Sequence, residues 1–171
     1  MATEGLLEWL ASVSSDPYAF VLGAFPWGEE GTRLEKDIGP NYWQADLLCR
    51  VRDGLVDLNT AILEATASGH GVGKSACVAW LLLWAISTLP DTRGVVTANT
   101  ETQLKTKTWA ELGRWYHMFI AKEHFHLSAT AIYSIDSAHE RTWRIDMVPW
   151  SERNTEAFAG LHNKGRRIIV V

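Results

Sequence analysis

The residues with the clearest chemistry are the run Ser68-Gly69-His70-Gly71-Val72-Gly73-Lys74-Ser75. Three glycines at alternate positions let the backbone take positive φ and turn successive N–H groups inward as a nest for an anion. A helix opening at Lys74 would aim its positive end at the same point. The Lys74 ammonium would then reach the β- and γ-phosphates of a nucleoside triphosphate, and the Ser75 hydroxyl would ligate Mg²⁺. The run keeps the Gly-Lys-Ser end of the phosphate-loop pattern, with Ser68 where the first glycine is usual. The expected ATP-binding set is therefore Ser68, Gly69, His70, Gly71, Val72, Gly73, Lys74, Ser75 and Ala76, with Lys74 as the catalytic cation. His70 either touches phosphate oxygens or is a tolerated exposed side chain, and its type does not separate the two.

A second constellation lies upstream, at Pro40-Asn41-Tyr42-Trp43-Gln44. A planar amide can pair with the N6 and N7 edge of adenine while an aromatic ring or a proline stacks on its face. Gln44 is thus an adenine-reading candidate, against the plainer reading of a solvated helix residue beside a core Trp43.

The other reactive residues form no recognisable constellation. His124 and His126 lack a cysteine or carboxylate cluster at ligand spacing and read as surface histidines. Lys105, Lys107, Arg114 and Lys122, with Lys164, Arg166, Arg167 and Arg153 further on, either face DNA, supply an arginine finger or simply form solvated faces. Cys49 and Cys77 make no CxxC pair and read as reduced thiols of a cytosolic protein. No nucleophile elbow surrounds any serine, which argues against a hydrolase triad.

These residues need a scaffold, and 171 residues with 47% hydrophobic content supply one. The formal charge of −4 gives no overall basic footprint, so contacts with nucleic acid would be local. The start is acidic and resembles no signal peptide, and the apolar stretch 76–89 is too short to span a bilayer. Helices are expected over Gly5–Val13, after Asp16-Pro17, and over Trp43–Gly54 with Asn41 as N-cap. Beyond them, Ala61–Ala67 predicts a strand leading into the loop, followed by a helix over Lys74–Leu89 that Pro90 ends. Gly94–Ala98, Ala129–Ile135, Arg141–Val148 and Arg167–Val171 predict further strands, the middle two partly a hairpin, and Thr100–Ala121 a long helix. The alternation predicts an α/β fold with a mostly parallel sheet flanked by helices. Residues 1–57 read as a helical lid and 58–171 as the nucleotide-binding core. The unpunctuated apolar run Ile168–Val171 reads as a central strand, so a truncated chain is expected.

Taken in order, Phe25-Pro26-Trp27-Gly28, Gly39 to Gln44, Ser68 to Ser75, Thr97-Ala98-Asn99-Thr100 with Gln103-Leu104 and Trp109, and Ala157-Phe158-Ala159-Gly160-Leu161-His162 resemble the N-terminal half of a tailed-phage terminase large subunit. The resemblance covers nearly the whole chain, and the phosphate loop is its one sharp motif. It implies a P-loop ATPase that uses ATP and Mg²⁺ to drive DNA into a procapsid. It makes Gln44 the adenine-recognition residue and Lys74 and Ser75 the phosphate and Mg²⁺ residues. Double-stranded DNA, a portal protein and a terminase small subunit are the implied partners, a ring of identical subunits the implied assembly, and the host cytoplasm the implied location. It also implies that the acidic pair of the Walker B strand follows Val171, with a nuclease beyond it. Another P-loop DNA-dependent ATPase, helicase-like or a helicase loader, and an inactive nucleotide-binding fragment are the rival readings.

Overall fold

The computed structural model describes residues 3–57, 59–67 and 69–150, and the backbone of residues 167–170. Four helices precede the first strand: α1 (Thr3–Ser12), α2 (Pro17–Ala24), α3 (Tyr42–Gly54) and α4 (Lys74–Thr88). Their starts follow local chemistry. The Asp16 carboxylate accepts from the Ala19 N–H at 2.9 Å, and Pro17 supplies the fixed φ of the first helical position. At α3, Asn41 is the N-cap, and Gln44 three residues on accepts the Asn41 N–H at 2.8 Å, the reciprocal arm of a capping box. Pro90 follows α4 and cannot continue it.

Helix α4 is the axis of the core. Its positions from Ala76 to Thr88 are nearly all buried, including Trp80, Leu82, Leu83, Trp84 and Ile86. A helix apolar all round must be covered all round. Its two buried hydroxyls are satisfied locally: that of Ser87 donates to the Leu83 carbonyl and that of Thr88 to the Trp84 carbonyl, each at 2.6 Å. Trp84 Nε1 donates to the Val13 carbonyl beyond α1, and Trp143 Nε1 to the Ile86 carbonyl. Trp27, Trp80, Trp115, Phe25, Phe20 and Phe119 form a chain of edge-on and tilted ring contacts 4.9–6.4 Å between centroids. This aromatic seam joins the segment before residue 57 to α4 and to Trp115 and Phe119 further along the chain, and all of them belong to one hydrophobic core.

The strands are β1 (Arg93–Val96), β2 (Phe125–Leu127), β3 (Ala131–Ser134), β4 (Arg144–Met147) and β5 (Arg167–Val170), ordered β2-β3-β4-β1-β5. β1 runs parallel to both β4 and β5, whereas β2–β3 and β3–β4 are antiparallel. The fold is therefore α/β with a mixed sheet, a correction to the mostly parallel sheet expected. The β3–β4 hairpin is the one expected, and the further antiparallel pair is β2 with β3, which follow one another without a crossover helix and so pair in opposite senses. β2, three residues long, was too short for its periodicity to show.

Between β1 and β2 the chain is helical from Glu101 to Met118, as α5 (Glu101–Gln103), a π-helical turn over Leu104–Trp109, and α6 (Ala110–Met118). The Ala110 N–H bonds the Lys105 carbonyl five residues back, the signature of the wider turn. Thr100 caps the start, its hydroxyl accepting from the Gln103 N–H. Among the described residues no helix is long and apolar enough to cross a membrane.

The segment Ala61–Ala67 departs from expectation. It forms no strand; apart from Ile62 its residues are exposed, and Leu63 is 89% exposed. Four of its seven positions are Ala or Thr, and they leave little apolar surface to bury in a sheet. It is held from the side by α3 instead. Ile62 lies so close to Gly54 that a Cβ there would sit 2.8 Å from Ile62 Cγ1, and Glu64 accepts from Arg50 Nε at 3.1 Å.

Candidate phosphate-binding loop

The glycine-rich loop runs from that tethered segment into α4. Gly71 (φ 76°) and Gly73 (φ 88°) both occupy the left-handed region, where an L side chain is strained, and Gly73 is the N-cap of α4. These are the backbone conformations from which a loop can present inward N–H groups. Ser68, the first residue of the expected set, lies outside the described residues. Gly69, His70 and Gly71 are exposed, Val72 to Ser75 are half-buried, and Ala76 is buried at the root of the helix.

Lys74 is the first residue of α4, and its Nζ donates to the Gly69 carbonyl at 2.6 Å. The ammonium thus reaches back across the loop, and the loop closes around its own cation. A polyanion entering the loop would offer that ammonium stronger, charged acceptors than one carbonyl. Ser75 follows in the first helical turn. The residues fit a nucleoside triphosphate with Mg²⁺: positive-φ glycines for the oxygens, one cation inside the loop, and one hydroxyl beside it.

Gln44 is brought to the same place. It is only 3% exposed, and its Nε2 donates to the Gly73 carbonyl at 2.9 Å while its Oε1 accepts from the Asn41 N–H. Both ends of the amide are engaged within the chain. Nothing in the sequence pattern marks this contact, because it joins residues 29 apart through the packing of α3 beside the loop. Tyr42, at the start of α3, is 89% exposed and Trp43 half-buried.

The remaining candidates are dispersed. His70 is exposed on the loop. His124 lines a cavity of about 240 Å³ with Leu7, Phe125, Ile135, Asp136 and Trp143, and His126 packs on the Tyr133 ring. Among the described residues no group of three or more His, Cys, Asp or Glu is placed to hold a metal ion. Lys105 pairs with Glu101, Arg114 pairs with Glu111 and lies over the Trp115 ring, and Lys122 Nζ donates to the His117 carbonyl. Arg153, Lys164, Arg166 and the motif Ala157–His162 lie outside the described residues, as does the side chain of Arg167.

Cys49 and Cys77 are free thiols, and burial pushes the Cys77 thiol up to about 12. Thr97, directly after β1, is buried, and its hydroxyl has no hydrogen-bond partner among the described residues; the same holds for Trp80 Nε1.

No protein-family model, curated protein or solved structure matches this chain.

Proposed function

We propose that this chain binds ATP with Mg²⁺ at the loop Ser68–Ala76 and serves as the ATPase unit of a viral DNA-packaging motor of the terminase large-subunit type. The observation that carries the nucleotide reading is the loop itself: Gly71 and Gly73 at positive φ, Lys74 opening a buried helix, and the Lys74 ammonium held inside the loop 2.6 Å from the Gly69 carbonyl. The packaging role rests on the order of the sequence motifs and on their resemblance to that family.

Within this reading, the backbone N–H groups of the loop and the positive end of α4 hold the phosphate oxygens, and Lys74 moves from the Gly69 carbonyl to the β/γ-phosphates. Ser75 would hold the Mg²⁺, which when bound neutralises phosphate charge. Charge neutralisation and positioning supply most of phosphoryl-transfer catalysis, so Lys74 is the residue of this chain with the largest expected share. In this assembly the DNA, portal and small-subunit contacts belong to a ring of such subunits in the host cytoplasm.

The test is a calorimetric titration of the chain with MgATP, alongside Lys74→Ala. The wild type is expected to bind, and Lys74→Ala to lose at least tenfold in affinity with its thermal unfolding little changed. Equal affinity in a folded Lys74→Ala would remove the phosphate-site assignment.

A further inference from the structure

The Gln44 amide makes two hydrogen bonds, and they identify it as a part of the loop rather than of a base pocket. Its Oε1 is taken by the Asn41 N–H and its Nε2 by the Gly73 carbonyl. The same Gly73 carbonyl also accepts the Cys77 N–H at 3.1 Å, the first hydrogen bond of α4. Gly73 is the last loop residue and sits at φ 88°, so nothing in its own side chain fixes the orientation of its peptide. Gln44, almost fully buried and bonded to the N-cap of α3, holds that carbonyl from the side. A Cβ on Gly73 would come within 2.7 Å of Gln44 Nε2, so the amide is packed directly against the loop backbone.

We propose that Gln44 is a positioning residue that clamps the Gly73 peptide and thereby holds the phosphate loop and the first turn of α4 ready for a nucleoside triphosphate whatever its base. The inference rests on the phosphate-site reading above for its ligand, and on the two hydrogen bonds for its mechanism. A donor is what the position requires. Gln44→Glu keeps an oxygen for the Asn41 N–H, so the cap of α3 survives, but it presents a carboxylate oxygen to the Gly73 carbonyl. Gln44→Met keeps the volume and offers neither donor nor charge.

The experiment compares the wild type, Gln44→Glu and Gln44→Met by amide exchange at Cys77 and by titration with MgATP and MgGTP. In both variants Cys77 exchange is expected to quicken about tenfold, the equivalent of one ordinary hydrogen bond. ATP and GTP affinities should fall together, also about tenfold, with their ratio unchanged. Cys77 exchange unaltered in a folded variant would overturn the clamp. A loss confined to ATP would overturn it too, in favour of a Gln44 that reads adenine. A wild type that binds neither nucleotide would refute the phosphate site, and Cys77 exchange alone would then decide the clamp. If Gln44→Glu does not fold, the same criteria apply to Gln44→Met.

Discussion

Gly73→Ala is the sharpest perturbation of the loop, and its cost can be worked from two separate terms. Gly73 sits at φ 88°, and an L residue in the left-handed region costs roughly 1–2 kcal/mol. The new methyl would also stand 2.7 Å from Gln44 Nε2, closer than real contacts allow. Gln44 is buried, and its oxygen is tied to the Asn41 N–H, so it can yield only by breaking its bond to the Gly73 carbonyl. A buried donor left without a partner costs roughly 1–3 kcal/mol. The whole substitution should therefore destabilise by about 2–5 kcal/mol, a large share of the stability of a domain this size. Urea unfolding followed by tryptophan fluorescence would measure it. A double-mutant cycle with Gln44→Ala separates the terms, because the shortened side chain removes the clash and leaves the backbone strain. Gly73→Ala should then cost only about 1–2 kcal/mol in the Gln44→Ala background, as the left-handed strain alone requires. An equal cost in both backgrounds, within about 0.5 kcal/mol, would show that Gln44 does not stand against Gly73.

Three further outcomes follow from two buried groups away from the phosphate end of the loop, Cys77 and Thr97. Native chain treated with a thiol reagent near pH 8 should be labelled first at half-buried Cys49, with Cys77, whose thiol burial pushes up to about 12, slower by at least about tenfold. Comparable labelling of both cysteines would contradict the packing of α4. Because the folded value is the raised one, this group's contribution to stability is complete below about pH 9 and is lost as pH rises towards about 12. Thr97→Val should be neutral or stabilising by up to about 1 kcal/mol, since it replaces a buried hydroxyl that has no partner among the described residues with a methyl of the same shape. A loss above about 1 kcal/mol in denaturant melts would mean that the hydroxyl has a partner after all.

The sequence announces those parts of the fold that depend on neighbours in the chain. Asp16-Pro17, Asn41 with Gln44, and Pro90 punctuate helices by local hydrogen bonds and fixed φ, and the helices begin and end where these residues stand. The glycines of the loop are legible for the same reason, since positive φ is a property of single residues. What stays hidden depends on partners far along the chain. Ala61–Ala67 alternates too weakly to reveal whether it joins the sheet or lies on α3, and Ile62 against Gly54 decides the matter only in three dimensions. Trp27, Trp80 and Trp115 each look like isolated aromatics in sequence, yet they join the N-terminal segment to α4 and α6. The amide of Gln44 has the right chemistry for a purine edge, and only its burial shows that both of its ends are already bonded.

The contacts that fix the loop differ in weight. The Arg50–Glu64 pair is nearly half exposed at its arginine, and a pair of that kind contributes roughly 0–1 kcal/mol. The close fit of Ile62 on Gly54 removes apolar surface from water but leaves Ile62 half-buried, so it too is a modest term. The Gln44 bond is buried, and breaking it strands a donor, which makes it the costliest of the three to lose. It also acts at the end of the loop where α4 begins, whereas the other two act on the chain leading in. The loop is therefore exposed at its Gly69 end, where it contacts the Lys74 ammonium, and held by a buried bond at its Gly73 end. On the phosphate-site reading proposed above, a phosphate that drew Lys74 away from Gly69 would act on the exposed half of the loop and leave in place the turn on which Lys74 itself is mounted.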